Sequence, residues 1–145
     1  MIKKTILLTL FICMGLKQSF ASGIGFVDYN KIIQNYNYAK IAERELYTKS
    51  VELQKYLEEK EVEYSKLDSP IQKNKFEQEM KAEVQKREIA FDDFRAKREE
   101  TIKTRLKTTI DKVRIEKGLD VILSIDNIYS GGIDITEDVI EILNK

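Results

Sequence analysis

From Tyr38 to Lys117 charged and apolar residues alternate at helical spacing on both sides of Pro70, the chain's one proline, and no glycine intervenes before Gly118. The pattern predicts two long helices joined by a sharp turn at 68–71, an α-helical hairpin. On the first limb Leu46, Ser50, Leu53, Leu57, Lys60, Tyr64 and Leu67 follow the alternating spacing of a left-handed coiled-coil stripe, broken at Lys60. On the second, Phe76, Met80, Val84, Arg87, Phe91, Phe94 and Arg98 form such a stripe. Ile102, Leu106, Thr109 and Val113 carry it on after a step of four where three is due, so the left-handed winding should relax toward the base. In the turn, Ser69 can cap the second helix, Pro70 suits its first position, and Gln72 stands where a capping box reaches back. At about 1.5 Å per residue the limbs would measure roughly 45 and 70 Å. A helix pair buries one stripe of each partner, so such an arm must pair further or stay exposed by design.

The flanks read differently. Ile24-Gly25-Phe26-Val27-Asp28 predicts a strand, and Asn30 to Gln34 a brief helix with Ile32 and Ile33 as its buried side. Asn35 to Tyr38 then interrupts before the first limb. Gly118 ends the second limb, and Val121 to Ile125 is the strongest strand signal in the chain, apolar enough to predict cover on both faces. Asp126-Asn127 and Ser130-Gly131-Gly132 are turn residues around Ile128-Tyr129, a candidate hairpin strand. Thr136 is a candidate cap for a last helix with Glu137 and Asp138 in its first turn and Val139, Ile140 and Leu143 as its apolar side.

The class this predicts is α+β: a small β-containing body from 22–37 and 118–145, with the coiled-coil hairpin 38–117 as an excursion between its halves. A body of roughly forty-five residues lies near the size at which association is usually required. Ile24, Phe26, Val27, Val121, Ile122, Leu123 and Ile125 are the candidate association residues.

Residues 1–21 read as an export signal. Lys3 and Lys4 precede the apolar run Ile6 to Leu16, and Ser19-Phe20-Ala21 predicts cleavage between Ala21 and Ser22. The run is too short for a membrane anchor, and bulky Ile12 before Cys13 argues against a lipoprotein. After cleavage neither cysteine nor histidine remains, which removes disulfides, thiol nucleophiles, histidine bases and ordinary zinc sites.

No cofactor or metal is expected, and the chain does not read as an enzyme. Gly23-Ile24-Gly25 lacks the third glycine of a dinucleotide loop. Asp126 and Glu137 have the spacing of the ends of a calcium loop, but Ile128 fills its third position.

Loss of Lys3, Lys4 and Lys17 leaves 22 basic residues against 25 acidic, a net charge of −3. The arm from Tyr38 to Lys117 is net +2 and the remainder net −5. Within the arm Glu58, Glu59, Glu61 and Glu63 surround only Lys60, while Arg95 to Lys117 is predominantly basic. The simpler reading is a solvated helix face laced with intrahelical pairs. The sharper one is a weak electrostatic surface for anionic chain segments or lipid head groups at a membrane surface. Nucleic acid is not an expected partner of an exported chain that is not net basic.

The order of these features resembles the Skp, or OmpH-like, family of periplasmic chaperones. The residues carrying the resemblance are Ile24-Gly25-Phe26-Val27-Asp28 after a signal, Leu46 and Ser50-Val51-Glu52-Leu53-Gln54 on the outgoing helix, Glu116-Lys117-Gly118-Leu119-Asp120-Val121-Ile122-Leu123, and Asp134-Ile135-Thr136 opening the last helix. The resemblance implies a homotrimer whose β body carries three helical arms around a cavity, where unfolded outer-membrane β-barrel proteins are held without ATP. The chain departs from the family in its net acidity, against lipopolysaccharide binding, and in its short arm tip.

Tyr47, Tyr56, Tyr64, Phe76, Met80 and Phe91 offer aromatic or soft surface among charges and are the candidate client contacts. Packing between the limbs is the competing role for each, and Leu53 and Phe94 are assigned to packing. The competing function is an exported coiled-coil adaptor or spacer of the cell envelope without chaperone activity.

Overall fold

The structure, a computed structural model, describes residues 23–145. The predicted export signal and the Ala21–Ser22 cleavage site lie outside the described residues. In order the elements are β1 (Ile24–Val27), α1 (Tyr29–Asn35), α2 (Asn37–Ser65), α3 (Pro70–Glu116), β2 (Val121–Ser124), a 3-10 turn (Ile125–Asn127), β3 (Ile133–Asp134) and α4 (Thr136–Leu143). The fold is α+β, a small sheet with a long helical hairpin, as the residue pattern predicts.

Asp28 ends β1 and opens α1, its Oδ1 accepting from the Lys31 N–H at 2.9 Å. The interruption before the arm is a single residue, Tyr36, in extended conformation and fully buried. This bend is held from the far end of the chain. Asn144 Oδ1 accepts from the Asn37 N–H at 2.8 Å, and Asn144 Nδ2 donates to the Asn35 carbonyl at 2.9 Å.

The 29 residues of α2 and the 47 of α3 correspond to about 44 and 70 Å of helix. The break between them is 66–69, and Pro70 is the first residue of α3. The expected capping box does not form, because Ser69 gives only its carbonyl, to the Lys73 N–H at 3.0 Å, and no side-chain bond. Proline at a position whose amide has no partner starts the helix without it. At the other end Gly118, at φ +65°, allows the Lys117, Gly118 and Leu119 amides to turn back onto the last carbonyls of α3.

The sheet runs β2–β1–β3 with both pairings parallel, Phe26 lying opposite Leu123 on one side and Asp134 on the other. The expected hairpin strand at Ile128-Tyr129 is therefore absent. From β2 the chain passes through the 3-10 turn and the left-handed Gly131 and Gly132 to reach the opposite edge of β1. The turn residues serve a crossover, which a parallel pair requires and local turn chemistry cannot distinguish from a hairpin. Gly132 also passes close to Phe26, where a Cβ would lie 3.1 Å from the ring.

The core gathers Val27, Ile32, Leu119, Ile135 and Val139 of the body with Leu106 and Val113 from the last turns of α3. The longer limb is thus rooted in the body, while α2 is attached through α1 and Asn144.

Thr136 does not cap α4 as expected. Its hydroxyl is buried, accepts from the Asp28 N–H at 3.0 Å and donates to Asp134 Oδ1. Asp134 takes the capping role, accepting from the Thr136 N–H at 2.9 Å. The Thr136 hydroxyl, helped by its amide and by Lys31, holds the Asp134 carboxyl below its ordinary range. A lowered folded-state value contributes stability that is whole above about pH 4 and lost as the pH falls through that lowered value. Thr136→Val should cost about 1 kcal/mol at neutral pH. Urea unfolding should show the difference from the parent narrowing in acid, whereas a difference constant down to pH 3 would contradict the linkage.

Candidate functional site: the arm seam and the bare sheet face

The two limbs meet along a narrow stripe. On α3 it follows the expected positions except at exposed Arg87, with Phe76, Met80, Val84, Phe91 and Phe94 half-buried and Leu106, Thr109 and Val113 buried at the base. On α2 Leu46, Leu53, Lys60 and Tyr64 hold their places, as does Leu67 in the break beyond it, but Ser50 and Leu57 are exposed and Tyr56 is turned inward. The alternating spacing favoured Leu57, four residues after Leu53. Tyr56 wins because its ring packs and its hydroxyl reaches Met80 Sδ at 3.7 Å.

Cations roof this stripe. The Arg87 guanidinium lies 3.9 Å from the Tyr56 ring centroid, and Lys49 Nζ and the Arg98 guanidinium each lie 4.9 Å from that of Phe94. Long basic side chains thereby cover apolar rings with their stems while their heads stay in water. Elsewhere the charged faces carry the expected intrahelical pairs, such as Lys60 with Glu63 and Arg87 with Glu83.

Arg98 makes the clasp at the arm's root, donating to the Tyr38 hydroxyl at 2.7 Å and pairing with Glu45 at 2.8 Å, and these partners raise its pKa further. That clasp was not anticipated. Its signal was an arginine at a stripe position, where a leucine would ordinarily stand.

Of the six candidate client residues, Tyr47 stands free, 70% exposed. The other five lie half-buried in the seam: Tyr64 stacks near Phe76 with centroids 5.9 Å apart, its hydroxyl donating to Glu77 at 2.6 Å, and Phe91 borders a cavity of about 160 Å³ beside Leu53. Near the tip Leu57, Tyr64, Phe76, Met80 and Val84 line a shallow groove of about 520 Å³, so their outer edges remain accessible. Ile41, Val62, Ile71 and Ile89 add exposed apolar points that the stripe pattern did not single out.

Leu53→Asp places a charge in this seam and should weaken the limb pairing by about 1–3 kcal/mol. Tryptic cleavage within the arm should accelerate while the body's core stays protected; unchanged helicity and cleavage would contradict the seam.

The second surface lies on the sheet. Strand side chains alternate between faces, and a Cβ on Gly25 would point at Ile122 and Leu119, so Gly25, Val27 and Ile122 face the core. Ile24, Phe26, Val121 and Leu123 therefore share the opposite face, where Ile24 is 45% and Val121 40% exposed. The expectation that β2 is covered on both faces is not met within one chain. Of the candidate association residues, Val27 and Ile122 serve the chain's own core, four form the bare face, and Ile125 lies partly exposed in the 3-10 turn. Tyr129, in the crossover, is fully exposed.

No described helix is long and apolar enough to cross a membrane. Asp126 and Glu137 do not converge as the ends of a calcium loop: Asp126 accepts from Ser124, and Glu137 pairs with Lys31 at 2.6 Å.

The chain thus presents two partly open apolar surfaces, one face of a small parallel sheet and the half-closed aromatic seam of a long hairpin. The family model described as outer membrane protein (OmpH-like) matches residues 23–143, and the chain belongs to the OmpH-like family. That is a family of periplasmic chaperones of outer-membrane proteins and not of enzymes. No curated protein matches the chain.

Proposed function

We propose that this chain is an ATP-independent periplasmic holdase. Three copies associate through the bare sheet face, and their arms bound a cavity that keeps unfolded outer-membrane β-barrel proteins from aggregating. The observation that carries the reading is the state of the rings in the arm's seam, which are neither sealed in a core nor free, but half-covered and interleaved with charge, with Tyr47 exposed beside them. Such a surface gives an unfolded chain many weak contacts without imposing one fold, and its charges keep the empty arm in solution. Release then needs no ATP, since no single contact is strong. The body and arm act as separate parts in this reading, 22–37 with 118–145 for association and 38–117 for client contact.

The experiment is photocrosslinking in the cell from Tyr47, the freest ring on the arm, and from exposed Lys145 on the body as a control. Adducts with outer-membrane proteins in transit, formed from position 47 and not from 145, are expected. Adducts confined to folded envelope components would favour the spacer instead.

A further inference from the structure

Met80 is the one sulfur-bearing side chain among the described residues, and it sits at a critical point of the arm. It is half-buried in the seam, with Sδ accepting from the Tyr56 hydroxyl at 3.7 Å. On its body side lies the Tyr56 ring with Arg87 stacked on it. On its tip side lies the Tyr64–Phe76 pair, beyond which only Leu67 continues the stripe on the first limb. Met80 therefore joins the distal aromatic pair to the rest of the seam, and its groove is open enough for a small oxidant to enter.

We propose that Met80 is a redox-sensitive switch that loosens the distal part of the arm when its thioether is oxidised. A peroxide transfers one oxygen atom to the sulfur, forming methionine sulfoxide, while the peroxide is reduced to water or alcohol. A dithiol reductant acting through a methionine sulfoxide reductase removes that oxygen as water and becomes a disulfide. The sulfoxide is polar and more strongly hydrated than the thioether, so it favours water over the groove between Leu57, Tyr64, Phe76 and Val84. Turning outward, it takes with it the contact to Tyr56. The distal segment then depends on Leu67 and on Tyr64 with its partners Phe76, Glu77 and Lys73, which favours opening.

The test treats the purified exported protein with hydrogen peroxide and follows intact mass and tryptic cleavage near the tip, at Lys66, Lys73 and Lys75. A gain of one oxygen at Met80 should accompany an about fivefold faster cleavage there, the rise in open population expected from losing one contact of this kind. Met80→Leu, which keeps the apolar volume, should show no acceleration under peroxide, and sulfoxide reductase with dithiothreitol should restore the slow rate in the parent. Equal cleavage before and after oxidation, equal acceleration in Met80→Leu, or resistance of Met80 to peroxide that oxidises free methionine would each overturn the proposal. The protease readout is independent of the holdase reading; only a consequent change in client retention rests on it.

Discussion

Leu123→Asp is expected to yield a folded chain that no longer associates. Leu123 pairs with Phe26 on the face of the sheet turned away from the core; both are half-buried, with Gly132 beside the Phe26 ring, and neither belongs to the core cluster. Placing a carboxylate there leaves the core cluster untouched but, in the proposed trimer, would set a charge into each interface, with like charges close together around the axis. Loss of a central apolar anchor costs on the order of 2 kcal/mol or more at each interface, and the uncompensated charges add to it. Light scattering at micromolar concentration should give three chains for the parent and one for the variant, with helicity retained. Ile122→Asp is the informative contrast: Ile122 faces the core, so that variant should lose the fold as well as the assembly. An Leu123→Asp protein with the parent's mass would place the association surface elsewhere.

Ile135→Ala should strongly destabilise the body. Ile135 is fully buried between β3 and α4, its amide donating to the Phe26 carbonyl at 3.0 Å and its carbonyl accepting from the Val139 N–H at 3.1 Å. The side chain thereby anchors a two-residue strand and an eight-residue helix that are too short to persist alone. Truncation to alanine should cost about 2–5 kcal/mol, a large part of the 5–15 kcal/mol typical of a whole domain. Release of α4 also withdraws Asn144 from the α1–α2 bend, so the arm's exit is loosened along with the body. Chemical denaturation should show the midpoint falling accordingly, with Ile135→Val costing only about 0.5–1.5 kcal/mol. A change from Ile135→Ala as small as that would mean that the C-terminal segment is not a keystone of the body.

The hairpin was legible because helices announce themselves locally. Pro70 and Gly118 punctuate the second limb, and Phe76, Met80, Val84, Phe91 and Phe94 repeat at the spacing of one helix face. What the stripe did not resolve is the choice between neighbours such as Tyr56 and Leu57, which depends on what stands across the seam; here Met80 and Arg87 decide it. Of the sheet, β1 and β2 were legible as strands, while β3 was expected at Ile128-Tyr129 and forms at Ile133–Asp134, and the topology was not legible. Parallel pairing on both sides of β1 is a long-range arrangement, and the turn residues from Asp126 to Gly132 would suit a hairpin equally well. The same holds for Thr136, which has the chemistry of a cap but spends its hydroxyl on Asp28, more than a hundred residues away in the chain. The strand residues pointed to association as a group, while their division into a core-facing and a bare set required the register.

Whether the arms hold unfolded chains is tested by light scattering of a urea-denatured outer-membrane β-barrel protein diluted into buffer with this protein present. Aggregation should be suppressed near one trimer per client, with neither ATP nor metal added, and a chain whose arm is cut back to the body should give no protection. Undiminished aggregation at a several-fold excess of assembled trimer would contradict the holdase reading.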